Sequence, residues 1–514
     1  MSRKKSNPIK KLHWIKNLKK SLEAKRRYSY YLMCFCILLV YIIFNAILGD
    51  NEAELKTKVQ TLMKLLVFGI IIIGAYFIFQ PGDKSKRLLA YAMAIGMLMR
   101  VGYMLYTPST IRSHDLGTIS SLGSGHAGYI LQLLEGGLPA SNMGQYYHPP
   151  LFHGLAALMI KLAQLFLPNQ TAEQHFEAAK LVSCFASCGV LLLIADICST
   201  LKLKTKATLI AVTTVAFLPN FYLLAGRVNN DALSIFFMTL ILLYTIKWYE
   251  DNTMKNTVVL GLAFGLGMMT KLSVGGLAFF SGGVMLIKGF EALRKKELYK
   301  VLAQYGVFAL VCFPIALWYP LRNLVCFNQP LMYVYEIKNP GDMYCGQLSF
   351  FERFMYFPIQ QLLSPIYNNP MSDRYALLYL LKGALFGEFS FGGGRVMAQL
   401  LIVSFLGLSL LTIGSMLYFL IHYNKSQVWR IALPSAWASL YISYILFNLR
   451  YPYTCTMDFR YIVPTAVLGA IFTAAVSEIL PQNTKALGFR LYNISLIALL
   501  FSYSLLSIVI YCTV

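Results

Sequence analysis

Hydrophobic residues in this chain come in long unbroken runs. Residues 31–49, 65–79 and 491–514 contain no charged side chain at all. About 20 apolar residues in a row cross a bilayer as a helix, and in lipid only helices or closed barrels satisfy the backbone. Barrel strands alternate with period two; these runs do not, so they read as helices. The pattern predicts an all-α polytopic membrane protein of about 13 transmembrane helices, over 29–48, 61–80, 88–106, 178–201, 207–225, 232–249, 256–270, 272–289, 301–320, 397–421, 431–449, 461–480 and 491–512.

The polar connectors orient these spans, because short basic loops stay on the cytoplasmic side. Eleven Lys or Arg lie between Arg3 and Arg27, before a first span too long for a cleaved signal peptide. That tail, Lys84-Ser85-Lys86-Arg87, Lys202 to Lys206, Arg294 to Lys300, Lys425 with Arg430, and Lys485 with Arg490 all fall inside. The alternation holds only if 149–167, apolar enough to cross, instead lies along or dips into the outer interface. A second interfacial helix is expected over 118–137, ended by Gly136-Gly137 and Pro139.

Composition agrees. Of 514 residues, 57% are hydrophobic and 13% charged, against about a quarter charged in soluble domains. The net charge of +23 suits anionic lipid at the cytoplasmic face; no domain supports nucleic-acid binding. The chain divides into a basic cytoplasmic tail (1–28), two N-terminal spans (29–87), a core (88–480) with long outer segments at 107–177 and 321–395, and a C-terminal span (481–514). Ten cysteines form no zinc-type pair; Cys326, Cys345 and Cys455 fall in outer loops, where a disulfide among them is open.

The sparsely charged outer side makes its ionisable residues informative. Four of the seven histidines, His114, His126, His148 and His153, fall within forty residues, around Arg112-Ser113-His114-Asp115 and Tyr146-Tyr147-His148-Pro149-Pro150. A carboxylate beside imidazoles serves as a general base or a metal ligand; equally, the histidines cap helices or meet headgroups. Asp115, His148 and Asp231 are the metal candidates, for a divalent ion. Asp231, after Asn229-Asn230, either caps the next span or faces a polar cavity. Arg227, Lys271 and Arg460 either snorkel singly or together clamp a phosphate. Glu388 and Asp458 complete the outer candidates. No nucleotide-binding loop is present.

Read in order, Arg112-Ser113-His114-Asp115, Gly125-His126 with Tyr129, Tyr147-His148-Pro149-Pro150-Leu151, Asn229-Asn230-Asp231-Ala232-Leu233, Thr270-Lys271-Leu272-Ser273 and Asp458-Phe459-Arg460-Tyr461 with Pro464 resemble the lipid-carrier-dependent glycosyltransferases of the protein O-mannosyltransferase and aminoarabinose transferase type. The resemblance runs from about residue 90 to 480. It implies the class C glycosyltransferase fold and transfer of a sugar from a polyprenyl-phosphate donor to an acceptor hydroxyl, with inversion, at the extracytoplasmic face. It implies Asp115 as the base and Asp231 as a second catalytic acid. The phosphate falls to Arg112, Lys271 and Arg460, and further substrate contacts to His114, His126, Tyr147, His148, Arg227, Asn230, Glu388 and Asp458. Partners are then membrane lipid and an acceptor glycan, lipid or protein. The family's usual acidic pair is His114-Asp115 here, so metal dependence stays open. The membrane is the bacterial cytoplasmic membrane, or the endoplasmic reticulum in a eukaryote. The rivals are a transporter or lipid flippase, which the glycine-rich stretch 261–288 would suit, and a polysaccharide polymerase or ligase.

Overall fold

The computed structural model describes residues 28–47, 52–79, 81–113, 115–119, 123, 125–140, 144–337, 339–364, 374–387, 394–480 and 487–513. Among these the chain is helical throughout, with one isolated antiparallel bridge, Tyr344 to Tyr453, and no strand. The long helices are α1 (Tyr28–Ile47), α2 (Glu52–Phe79) and α3 (Lys84–Tyr106). After the first outer segment, which carries α4 (Gly125–Leu134), α5 (Leu151–Phe166) and α6 (Ala172–Phe176), come α7 (Lys180–Thr200), α8 (Thr205–Ala216), α9 (Pro219–Ala225) and α10 (Asp231–Glu250). Then follow α11 (Met254–Met268), α12 (Ala278–Arg294) and α13 (Leu298–Phe327). The second outer segment carries α14 (Phe350–Phe354) and α15 (Ala376–Phe386), before α16 (Arg395–His422), α17 (Gln427–Arg450), α18 (Val463–Ile479) and α19 (Leu487–Thr513).

Every expected span meets a helix, but the count of 13 is not reproduced. Among the described residues ten helices are long and apolar enough to cross a membrane, or eleven if the bent pair α8–α9 is one span. α11 and α18, at 15 and 17 residues, fall short. α18 is buried on nearly every side, and a helix enclosed by protein need not match the bilayer in length. The expected span 207–225 is broken by 57° between α8 and α9, where Pro219 cannot donate a backbone hydrogen bond.

α7, α10 and α18 form the centre and are apolar on all faces. The helices around them turn Leu65, Phe68, Leu410 and Ile494 outward, as lipid requires. The glycine-rich stretch has a packing explanation. A Cβ on Gly261 would sit 3.2 Å from Val311 Cβ, and one on Gly265 2.9 Å from Ile315 Cβ, so this small-x3-small pair brings α11 against α13.

The connectors sort to two ends as the basic residues require. At one end Glu478 accepts from the Lys204 backbone at 2.8 Å and pairs with Lys425 at 2.7 Å, while Glu250 accepts from Trp429 at 2.7 Å. The long segments gather at the other. There α5 is too short to cross; it buries Phe152, Ala156 and Ile160 and exposes Leu158, Leu165 and Phe166, as an interfacial helix would. The helix expected over 118–137 is shorter than anticipated, starting only at Gly125. The loop before it folds back on its N-terminus, and a Cβ on Gly125 (φ +91°) would meet the Leu116 carbonyl at 2.4 Å.

Candidate active site

The site begins with a loop held at its base. Ser109 donates to Glu177 from its backbone (2.9 Å) and its hydroxyl (2.7 Å), and Glu177 pairs with Lys180. Lys180, itself buried, donates to the Met104 and Thr107 carbonyls at 2.8 and 2.7 Å, tying α7 to the end of α3. Beyond this anchor Arg112 and Asp115 both take positive φ, 53° and 51°, which is uncommon away from glycine. The bend lets the Asp115 and Leu116 carbonyls accept from His126 and Ala127 at 2.8 and 2.7 Å, closing the free N–H groups that begin α4. Arg112 donates to the Tyr103 hydroxyl at 3.4 Å.

His126 Nδ1 lies 2.9 Å from His153 Nε2. His148 stacks on His126 with ring centroids 5.9 Å apart, and Tyr129 stacks on His153 at 4.0 Å. Burial pushes His126 down to about 4; Asp115 and Asp231 oppose the shift, and Lys271 and Arg460 add to it. His148 is lowered well below the ordinary imidazole value, by burial first and then by His126, Lys271 and Arg460. Both rings are therefore neutral at neutral pH.

Asp231 is the first residue of α10, and Asn230 occupies the cap without a side-chain cap bond. The Asn230 amide instead donates to the Thr270 carbonyl at 3.1 Å, stapling the two loops together. Asn229 donates to Asp231 Oδ2 at 3.1 Å. Lys271 Nζ meets Asp231 Oδ1 at 2.5 Å and lies 4.7 Å above the Tyr461 ring. Arg460 reaches both Asp231 Oδ2 (3.7 Å) and Asp458 Oδ2 (3.4 Å), and donates to the Tyr461 hydroxyl at 3.1 Å. Burial raises the Asp458 carboxyl, against the pull of Arg460 and Arg227. Tyr147 tilts over His148 at 4.1 Å and meets Tyr333 of the second outer segment edge-on at 5.6 Å.

Asp115 and Asp231 act electrostatically on the same three side chains, His126, Tyr147 and Tyr461, and Arg460 acts on all three as well. Of the nominated residues, Asp115, Asp231, His126, Tyr147, His148, Lys271, Asp458 and Arg460 form this one cluster. Arg227 joins it through Asp458, and Asn230 by holding the Thr270-Lys271 turn. Arg112 stands beside it, in the field of Tyr103 and Tyr511. His114 and Glu388 lie outside the described residues.

Three participants escape the sequence reading as site residues. Tyr461 enters it only as a neighbour of Arg460, His153 only as one of a histidine group, and Tyr333 not at all. The distance of Tyr333 from Tyr147 along the chain hides their contact.

A metal does not fit what is described. Among the described residues no three His, Cys, Asp or Glu side chains are grouped to hold an ion. Asp231, one of the candidate ligands, already faces Lys271 and Arg460. Among the described residues Cys326, Cys345 and Cys455 are not joined by a disulfide.

Residues 147–318 match the family model described as dolichyl-phosphate-mannose-protein mannosyltransferase. The matched third of the chain contains Tyr147, His148, Arg227, Asn230, Asp231 and Lys271, while Asp115, Asp458 and Arg460 lie outside it. No curated protein matches the chain. Among solved structures, an oligosaccharyltransferase of Archaeoglobus fulgidus, tethered with an acceptor peptide containing the NVT sequon, aligns over 82% of this chain and 55% of its own. Identity is 15% and the TM-score 0.45. ArnT from Cupriavidus metallidurans, in the apo state, aligns over 84% of this chain and 76% of its own, at 11% identity and a TM-score of 0.40. This chain thus spans little more than half the length of that oligosaccharyltransferase. The described residues form a helical, multi-pass membrane protein, and its residues 147–318 match the mannosyltransferase family model.

Proposed function

We propose that this protein transfers a sugar from a polyprenyl-phosphate donor to an acceptor hydroxyl at the extracytoplasmic face, with inversion. The observation that supports the reading is that Asp115 and Asp231 both act on His126, Tyr147 and Tyr461 while Lys271 and Arg460 face Asp231.

The charges divide the labour. Asp115 has no salt bridge among the described residues and takes the proton of the acceptor hydroxyl as its oxygen attacks the anomeric carbon. Asp231 is engaged by two cations, so it positions rather than abstracts: it holds Lys271 and Arg460 where the carbon–oxygen bond to the lipid phosphate breaks. Fixed cations stabilise the charge that develops there, and neutral His126 and His148 add none of their own. The Tyr147–Tyr333 pair offers an aromatic face to a sugar.

The flippase rival loses part of its support, since two of the glycines that suggested a mid-membrane site, Gly261 and Gly265, pack against α13. The test is Asp115→Asn, assayed with polyprenyl-phosphate hexoses in nanodiscs. Transfer should fall by about 10²–10⁴-fold, the usual worth of a general base, while polyprenyl phosphate still binds. Wild-type transfer by the variant would end this assignment.

A further inference from the structure

Among the buried cations that the proposed chemistry leaves unused is Arg100. Arg100 sits on α3, a helix long enough to cross the membrane, and is 0% exposed. Among the described residues it has no salt bridge. Intramembrane arginines are costly and seldom retained without a task.

Its contacts show where its donors go. Nη1 donates to the Gly96 carbonyl at 2.7 Å and the Ala216 carbonyl at 2.8 Å, Nη2 to the Val215 carbonyl at 3.0 Å, and Nε to the Ser187 hydroxyl at 3.1 Å. Val215 and Ala216 end α8, just before the 57° break. In an unbroken helix the Val215 carbonyl would accept from residue 219, but that residue is Pro219 and has no N–H. Arg100 donates there at 3.0 Å, beside the Leu218 N–H, which reaches the same carbonyl at 3.4 Å.

The same guanidinium holds the far side of the break. It lies over the Phe221 and Tyr222 rings of α9 at 5.3 and 5.5 Å, and Ser187, its fourth partner, donates to the Phe221 carbonyl at 2.8 Å. The approach depends on Gly96, where a Cβ would stand 2.8 Å from that of Ala216. α9 then leads through Gly226 into Arg227, Asn229, Asn230 and Asp231.

We propose that Arg100 is a positioning residue: it donates to the carbonyls that end α8, where Pro219 offers no N–H, fixes the bend, and so aims the 227–231 segment at Lys271 and Arg460. The functional half rests on the reading above. Straightening α8–α9 would carry Asp231 away from its cations even in a folded protein.

The test compares Arg100→Met, Pro219→Ala and the double variant. Hydrogen–deuterium exchange over 215–231, thermal midpoint and polyprenyl phosphate binding in nanodiscs are the readouts. Pro219→Ala alone should resemble wild type, because Arg100 still holds the carbonyls. Arg100→Met should lose protection across 217–231 and weaken binding by about tenfold, ~1.4 kcal/mol. In the double variant the substitution at position 219 restores the backbone N–H, so the midpoint should recover while binding does not. If Arg100→Met does not fold, the double variant decides. Wild-type protection and binding in Arg100→Met, or recovery of binding in the double variant, overturns the proposal. Should wild type itself fail to bind polyprenyl phosphate, the transferase reading falls, and the exchange data alone decide the role of Arg100.

Discussion

Lys271 and Asp231 are 40 positions apart in the chain and 2.5 Å apart in the fold. Both are largely buried, at 15% and 4% side-chain exposure, so each depends on the other. Removing one partner of a buried pair costs about 3–5 kcal/mol, because a charge is left without compensation. Lys271→Met should lower the thermal midpoint in detergent sharply, since Arg460, 3.7 Å away, is too distant to replace a direct contact. Adding Asp231→Asn should return most of the loss by removing the stranded charge, yet polyprenyl phosphate binding should stay weak. A double variant that binds as wild type would mean that Lys271 serves only the fold. At this scale the sequence is informative in one respect. Lys271, Arg460 and Asp231 stand out because the outer side has so few charges, whereas their pairing depends on three loops meeting. Tyr461 and His153 do not stand out, for the opposite reason: aromatic and histidine residues are expected at a membrane interface whether or not they act.

Between elements, the decisive contact is the one that lets α11 hold the Lys271 turn in place. Gly261 and Gly265 leave no room for a side chain against α13, and overpacking such a contact costs about 1–3 kcal/mol. Gly265→Val should therefore lower the thermal midpoint, and Ile315→Ala, which keeps the Cβ 2.9 Å from the new Cβ but removes the Cγ2 at 3.2 Å, should recover part of it. Equal midpoints for wild type and Gly265→Val would show that the helices part without cost. The helix positions are legible because each span is an apolar run between basic connectors. The break at 217–219 is not, since Phe217 and Leu218 are as apolar as their neighbours and a proline in a span often only kinks it. Nor does hydropathy reveal that α11 and α18 are too short to cross alone; the period and composition of a helix do not say how much protein surrounds it.

For the whole molecule the claim is a polarity. Glu478, Lys425 and Lys204 meet at one end, and the acids and cations of the proposed site meet at the other. If the basic connectors keep to the cytoplasmic side, as such connectors favour, Asp115 and Asp231 would lie outside, where a lipid-linked sugar and an extracytoplasmic acceptor would be found. Two positions test this directly. Cys326, near the end of α13, is exposed at the site end, and Lys425 is exposed between α16 and α17 at the basic end. In intact cells a membrane-impermeant maleimide should label Cys326. In a Cys326→Ser background carrying Lys425→Cys, labelling should rise above the single-variant baseline only after the membrane is opened. The reverse pattern would put the carboxylates in the cytoplasm. The charge argument that sets 149–167 along the interface would then fail with the proposed reaction, because both rest on the same assignment of inside and outside.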